Sequence, residues 1–204
     1  MTAAIITISR EYGSNGRKIG RKLAEQLGIP FYDNELITIA AKKSGYAEGL
    51  FENADQRPTG SLLFSLSMYG AGMAAYDLPL NDKVFLIQSD IIRDVASQGG
   101  CVIVGRCADY VLRENPHCIN VFIHAPLESR LERAIQEDHV AEEKAKDTVQ
   151  KIDKRRATYY NYYTSQKWGR AENYDLCIDS SVLGIEGTAG VIRNFVECRD
   201  SLKK

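Results

Sequence analysis

"IITISREYGSNGRKIGRKLAEQL", residues 5–27, passes from an apolar run through a glycine-bearing loop into a helical pattern. Strand, loop and helix in that order make the opening unit of an α/β sheet, and the rest of the chain repeats the alternation. Ala4 to Ser9, Cys101 to Gly105, Cys118 to His124 and Tyr174 to Asp179 read as strands, and Pro30-Phe31-Tyr32 supplies a fifth. Continuous apolar runs such as Val102-Ile103-Val104 suit strands covered on both faces. Helical patterns run approximately from Gly16 to Leu27, Asn34 to Ser44, Ser61 to Ala75, Asn81 to Gln98, Ala108 to Arg113, Leu127 to Asp138, Glu142 to Tyr163 and Gly184 to Leu202. The expected fold is therefore a parallel five-stranded sheet flanked by helices, with Tyr46 to Gly60 as a loop excursion.

With 204 residues, 44% of them hydrophobic, the chain can bury a core as one domain spanning 1–204. Its 26 Lys+Arg nearly cancel its 27 Asp+Glu, so no global charge draws it to nucleic acid or anionic membrane, and any basic site must be local. No apolar stretch approaches the ~20 residues of a membrane span, and Met1-Thr2-Ala3-Ala4 lacks the features of a secretory signal. A cytoplasmic location and no membrane partner are expected. The five cysteines are scattered without a C-x-x-C pair, and the three histidines lack metal-site spacing. Gly70-Ala71-Gly72, flanked by Met68 and Met73, would allow close packing against a second copy of the chain or within a buried helix.

The opening loop carries the chemistry. A strand feeding a helix through small residues leaves backbone N–H groups unpaired at the helix N-terminus, where they can converge on phosphate oxygens. Gly13 and Gly16 permit close approach, Ser14 and Asn15 add donors, and Arg10, Arg17 and Lys18 add positive charge. Cations at that end of a helix are disfavoured unless an anion compensates them. Arg106, after an apolar strand and Gly105, emerges at the same edge. Arg130 and Arg133 share one helix face, as do Asp153 and Arg156, although Glu132, Glu137 and Asp138 suit a solvated face around Arg133. The Arg/Tyr stretch "RRATYYNYYTSQKW", residues 155–168, resembles a base-stacking surface, but its tyrosine spacing also fits one aromatic face of a long helix, so nucleic acid is not the expected partner.

"ISREYGSNGRKIGRKLAEQLGIPFYD", "GRCADYVLRENP", "HAPLESRLERAIQ", "DKRR" and "YDLCIDSSVLGIE" follow one another in an order that resembles the cytidylate kinase-like family of P-loop proteins. The resemblance implies ATP and Mg²⁺ as cofactors, nucleotide substrates, a helical acceptor-binding region over 34–98 and a lid-like region over 130–170. It implies that Gly13, Ser14, Asn15, Gly16, Arg17, Lys18 and Arg10 hold the ATP phosphates, with Arg17, Lys18, Arg130 and Arg156 serving catalysis. Asp33, Arg106, Asp153 and Arg156 become candidate acceptor contacts. No metal ligand set is assigned. Asp33 either contacts substrate, holds a Mg²⁺-bound water, or caps the helix beginning Asn34-Glu35.

The loop departs from the usual G-x-x-x-x-G-K-[ST]. Arg10 stands where the first glycine is expected, Gly16 where the lysine is expected and Lys18 where the hydroxyl is expected. Either the cation has migrated, with Arg17 or Lys18 supplying the charge, or the loop binds without catalysing; the basic cluster favours migration. Cys107 replaces the family's Asp after Arg106, and the Ser and Arg that help to hold cytidylate are missing after Asp33. The expected activity is phosphoryl transfer from ATP to a nucleoside monophosphate, preferably cytidylate. A non-catalytic nucleotide-binding regulator and a kinase for another small acceptor are the alternatives.

Overall fold

The computed structural model describes residues 4–33 and 79–202. Its elements are β1 (Ile5–Arg10), α1 (Gly16–Leu27), β2 (Phe31–Tyr32), α2 (Leu80–Ser97), β3 (Cys101–Val104), α3 (Ala108–Val111), β4 (Cys118–His124), α4 (Leu127–Gln136), α5 (Glu142–Thr164), β5 (Leu176–Asp179) and α6 (Ser180–Leu202). The expected helices at Asn34 to Ser44 and Ser61 to Ala75, the excursion at Tyr46 to Gly60 and the Gly70-Ala71-Gly72 face lie outside the described residues.

The strands form one parallel sheet of order β2-β3-β1-β4-β5. Alternation along the strands divides its core between two faces. Ile6, Ile8, Val102, Val104, Val121 and Ile123 pack with Ile19 and Leu23 of α1 and with Ile192 and Val196 of α6. Ile5, Cys101, Ile103 and Cys118 turn the other way, against Phe85 and Ile92 of α2 and Tyr160 and Tyr163 of α5. The tyrosine-rich run thus packs on the sheet, with Tyr163 stacked on Phe85 at 4.0 Å between ring centroids.

Most element ends fall within two residues of the sequence reading, and three of the boundaries that differ have a physical reason. β1 continues to Arg10, whose backbone still pairs beside Ile123 although its side chain is polar. β5 begins at Leu176 because a 3-10 turn at Ala171–Asn173 precedes it. The last helix starts at Ser180, four residues early, and is interrupted at Gly184, whose φ of 62° and ψ of −165° are not helical.

Parallel strands end at one edge, where open α/β sheets bind their ligands. Arg10, Asp33, Gly105, His124 and Asp179 follow or close the five strands there. Among the described residues no helix is long and apolar enough to cross a membrane.

Candidate active site

The loop between β1 and α1 is held from below and from both sides. Glu11 still donates its N–H to the Ile123 carbonyl at 3.0 Å, so the chain leaves the sheet only after it. Ser14 is fully buried; its hydroxyl donates to the Glu11 carbonyl at 2.9 Å, and its own carbonyl accepts from the Ser180 hydroxyl at 2.7 Å. α1 then starts behind a left-handed Asn15 that makes no side-chain cap, with no acidic residue in its first turn. Its leading N–H groups keep the donor capacity that an anion would use.

Two helices brace this loop. Asp153 of α5 accepts the Tyr12 N–H at 2.7 Å and pairs with Arg130 of α4, whose Nε also lies 3.4 Å from Glu11. Arg156 donates to the Arg10 carbonyl at 3.0 Å. Arg130, Asp153 and Arg156, scattered in sequence, therefore meet on residues 10–12. Arg133, whose acidic neighbours pointed to solvent, donates instead to the Gly13 carbonyl and to the Ser180 hydroxyl, each at 3.2 Å. Ser180 lies in the stretch "YDLCIDSSVLGIE" that carries part of the family resemblance, but no role was read for it, and the parallel register carries it to the loop.

The basic residues of the loop have different partners. Arg17 places Nε and Nη2 at 2.8 and 2.7 Å from one oxygen of Asp33, whose side chain is only 6% exposed. Lys18 pairs with Glu137, the residue just after α4, at 2.6 Å across an exposed surface. Arg10 lies inward. Its own burial, reinforced by Arg156, Arg106 and Arg17, draws its guanidinium pKa down to about 9, against the opposing pull of Asp153.

Two hollows flank Arg10. A cleft of about 390 Å³ lies over the loop, walled by Gly13, Gly16, Arg17, Lys18 and Asp33. A cavity of about 170 Å³ lies on the α5 side, walled by Arg106, Asp109, Arg155, Tyr159, Tyr160 and Trp168. Arg10, Val104 and Arg156 belong to both walls. Gly105, Arg106 and Cys107 take three consecutive positive φ values, 79°, 58° and 54°. Left-handed conformations cost energy at the two non-glycine positions, and such strain gathers where a side chain must be aimed. Here the turn sets Arg106 over the Tyr159 ring, 5.7 Å from its centroid. Trp168 donates its indole N–H to the Ser9 hydroxyl at 3.0 Å.

Asp109 is the buried acid of this cavity, and it accepts the Tyr160 hydroxyl at 2.7 Å. Burial raises its carboxyl above the usual range while the Tyr160 hydrogen bond opposes the rise. An acid with a raised folded pKa holds its proton longer when folded, so its contribution to stability falls as pH rises through that pKa. Tyr160→Phe removes the opposing bond and should cost about 1–3 kcal/mol. Melting followed from about pH 4 to about pH 8 should show the deficit of the variant widening with pH; a pH-independent deficit would mean that Asp109 does not ionise against this tyrosine.

Among the described residues no group of three His, Cys, Asp or Glu is arranged to hold a metal. A Mg²⁺ ion arriving with a triphosphate would keep phosphate oxygens and waters as its main ligands, and the carboxylates in the wall of this cleft are Glu11, Asp33, Glu137 and Asp138.

A parallel sheet whose first strand runs through a glycine loop into an uncapped helix, with two charged helices braced against that loop, defines a P-loop kinase fold. The chain belongs to the cytidylate kinase-like family, whose model matches residues 5–182. It is 24% identical over 199 residues to the cytidylate kinase of Staphylothermus marinus, covering 95% of this chain and 96% of that one. A crystal structure of an uncharacterized protein from Eubacterium ventriosum superposes with a TM-score of 0.73 at 28% identity, covering 95% and 98% of the two chains. Shikimate kinase from Acinetobacter baumannii, in complex with shikimate, shares the fold at a TM-score of 0.51 and 15% identity, covering 98% of this chain and 95% of that one.

Proposed function

We propose that this protein transfers the γ-phosphoryl group of ATP, brought with Mg²⁺, to a nucleoside monophosphate, with cytidylate the first acceptor to test. The observation that carries this reading is the common wall of Arg10 and Arg156 between the cleft at the N-terminus of α1 and a cavity bearing Arg106 and Arg155. A donor polyphosphate in the cleft and an acceptor phosphate in the cavity would bring two anions together against guanidiniums able to neutralise both. The chemistry then needs positioning and charge stabilisation and no covalent enzyme intermediate.

In this reading the loop from Gly13 to Lys18 receives the donor and Arg106 clamps the acceptor. Arg130, Asp153 and Arg156 order the loop against α4 and α5, as parts of a lid over 130–170, while the region 34–98 shapes the acceptor side. Transfer from γ-labelled ATP with Mg²⁺ should be measured to CMP, dCMP, UMP, AMP and GMP, with Arg106→Ala and a no-acceptor sample as controls. One labelled acceptor that disappears in Arg106→Ala is the expected result. A cavity of about 170 Å³ is small beside the ~300–1,000 Å³ of ordinary ligand pockets. That size favours, as a second reading, a smaller anionic acceptor; ATP binding without transfer to any of the five nucleotides would leave that reading and a non-catalytic nucleotide-binding regulator, which transfer to a smaller acceptor separates.

A further inference from the structure

The position expected to carry the phosphate-binding lysine is Gly16, and the position expected to carry a glycine is Arg10. In the folded chain these two positions touch. A Cβ placed on Gly16 would stand 2.5 Å from the Arg10 Cβ and 2.9 Å from its Cγ. The side chain of residue 16 and the stem of Arg10 therefore claim the same space, and a lysine at one position excludes an arginine at the other. The head of Arg10 is accommodated in the same way, because a Cβ on Gly105 would stand 2.5 Å from Nη1. Arg10 thus runs from beneath the first turn of α1 to the turn after β3, through a passage kept open by two glycines.

The neighbouring cations are engaged: Arg17 by Asp33, Lys18 by Glu137 and Arg130 by Asp153. The Arg10 guanidinium has no hydrogen bond or ion pair among the described residues, although it walls both the cleft and the cavity. We propose that Arg10 replaces the missing lysine by a reciprocal exchange with Gly16, and that its guanidinium binds the phosphoryl oxygens of ATP at the boundary between donor cleft and acceptor cavity. A partly buried cation crowded by Arg17, Arg106 and Arg156 is relieved by such an anion, in keeping with the lowering of its pKa. A fork-shaped donor facing both hollows can also follow the phosphoryl group as it moves between them.

The inference rests on ATP being the donor, and its test is separate from the transfer assay. ATP·Mg²⁺ affinity is measured by calorimetry without any acceptor, in the wild type, in Arg10→Met, in Arg10→Lys and in the double variant Arg10→Gly/Gly16→Lys, with thermal melts to establish folding. Arg10→Met should weaken ATP roughly 10- to 100-fold, the loss of a charged hydrogen-bonding partner. Arg10→Lys should keep part of the affinity, and the double variant should recover it from the other side of the loop. Wild-type affinity in folded Arg10→Met overturns the exchange and leaves the kinase reading to the labelled-ATP assay. Should Arg10→Met fail to fold, a folded double variant that does not bind ATP overturns it equally. No ATP binding by the wild type removes both the kinase reading and this inference.

Discussion

Asp153→Ala should be among the most damaging single changes away from the apolar core, lowering stability by about 3 kcal/mol and the melting temperature by roughly 6–12 °C for a chain of this size. Asp153 does two things at once. It accepts the Tyr12 N–H at 2.7 Å, and it pairs with Arg130 where the two side chains are only 15% and 11% exposed. Removing it strands a guanidinium in a nearly dry site, where loss of one partner costs more than the pair is worth in water. Glu11, 3.4 Å from Arg130 Nε, recovers part of that loss, which places the expected effect at the lower end for buried pairs. Arg93→Ala breaks a pair exposed 56% and 75% and should shift melting little. Asp153→Asn separates the two roles, since the amide oxygen still accepts from Tyr12 while the charge is gone. A melt for Asp153→Ala that matches Arg93→Ala would show that α5 does not brace the loop.

Gly13→Ala should cost about 3 kcal/mol, combining left-handed strain with a collision. Its φ is 75°, and a Cβ there would stand 2.6 Å from the Arg130 carbonyl oxygen and 3.0 Å from the Arg130 Cα. Those atoms belong to the backbone of α4, so no flexible tip can move aside. The loop or the helix must shift, taking with it the Arg133 bond to the Gly13 carbonyl. ATP affinity should fall with stability, by more than tenfold if the loop backbone is displaced. Gly28→Ala is the matched comparison, with φ of 64° and nothing within 4 Å of the added carbon. It should cost only the backbone term, about 1 kcal/mol. Equal losses in the two variants would mean that the close approach of α4 to the loop has no energetic weight.

The sheet was legible because its strands are apolar on both faces, a pattern that ordinary composition seldom produces by accident. β4 was read residue for residue, from Cys118 to His124, where Pro116 and Pro126 bracket the run. β1 was read one residue short at its end because the charged Arg10 breaks the apolar pattern while its backbone still pairs beside Ile123. The family resemblance and the helical spacing put Arg130, Asp153 and Arg156 in a lid over a nucleotide; that they meet on residues 10–12 of the loop was not read from the sequence. Nothing local links Tyr12 to Asp153 or Arg133 to Ser180 across 141 and 47 residues. The cation expected to replace the lysine was sought among Arg17 and Lys18, next to the gap. Which of the loop's basic residues are already engaged depends on Asp33 and Glu137, and only the folded chain brings those carboxylates within 3 Å.

Trp168 is the single tryptophan in the chain, and it stands in the wall of the cavity with its indole N–H on Ser9 and its ring edge against Phe122. Its emission therefore comes from one known place, in the cavity wall that also holds Arg106 and Arg155 and on the segment that follows α5. The protein carries its own optical gauge: without a dye or a label, a change in intensity or colour can be assigned to this one ring.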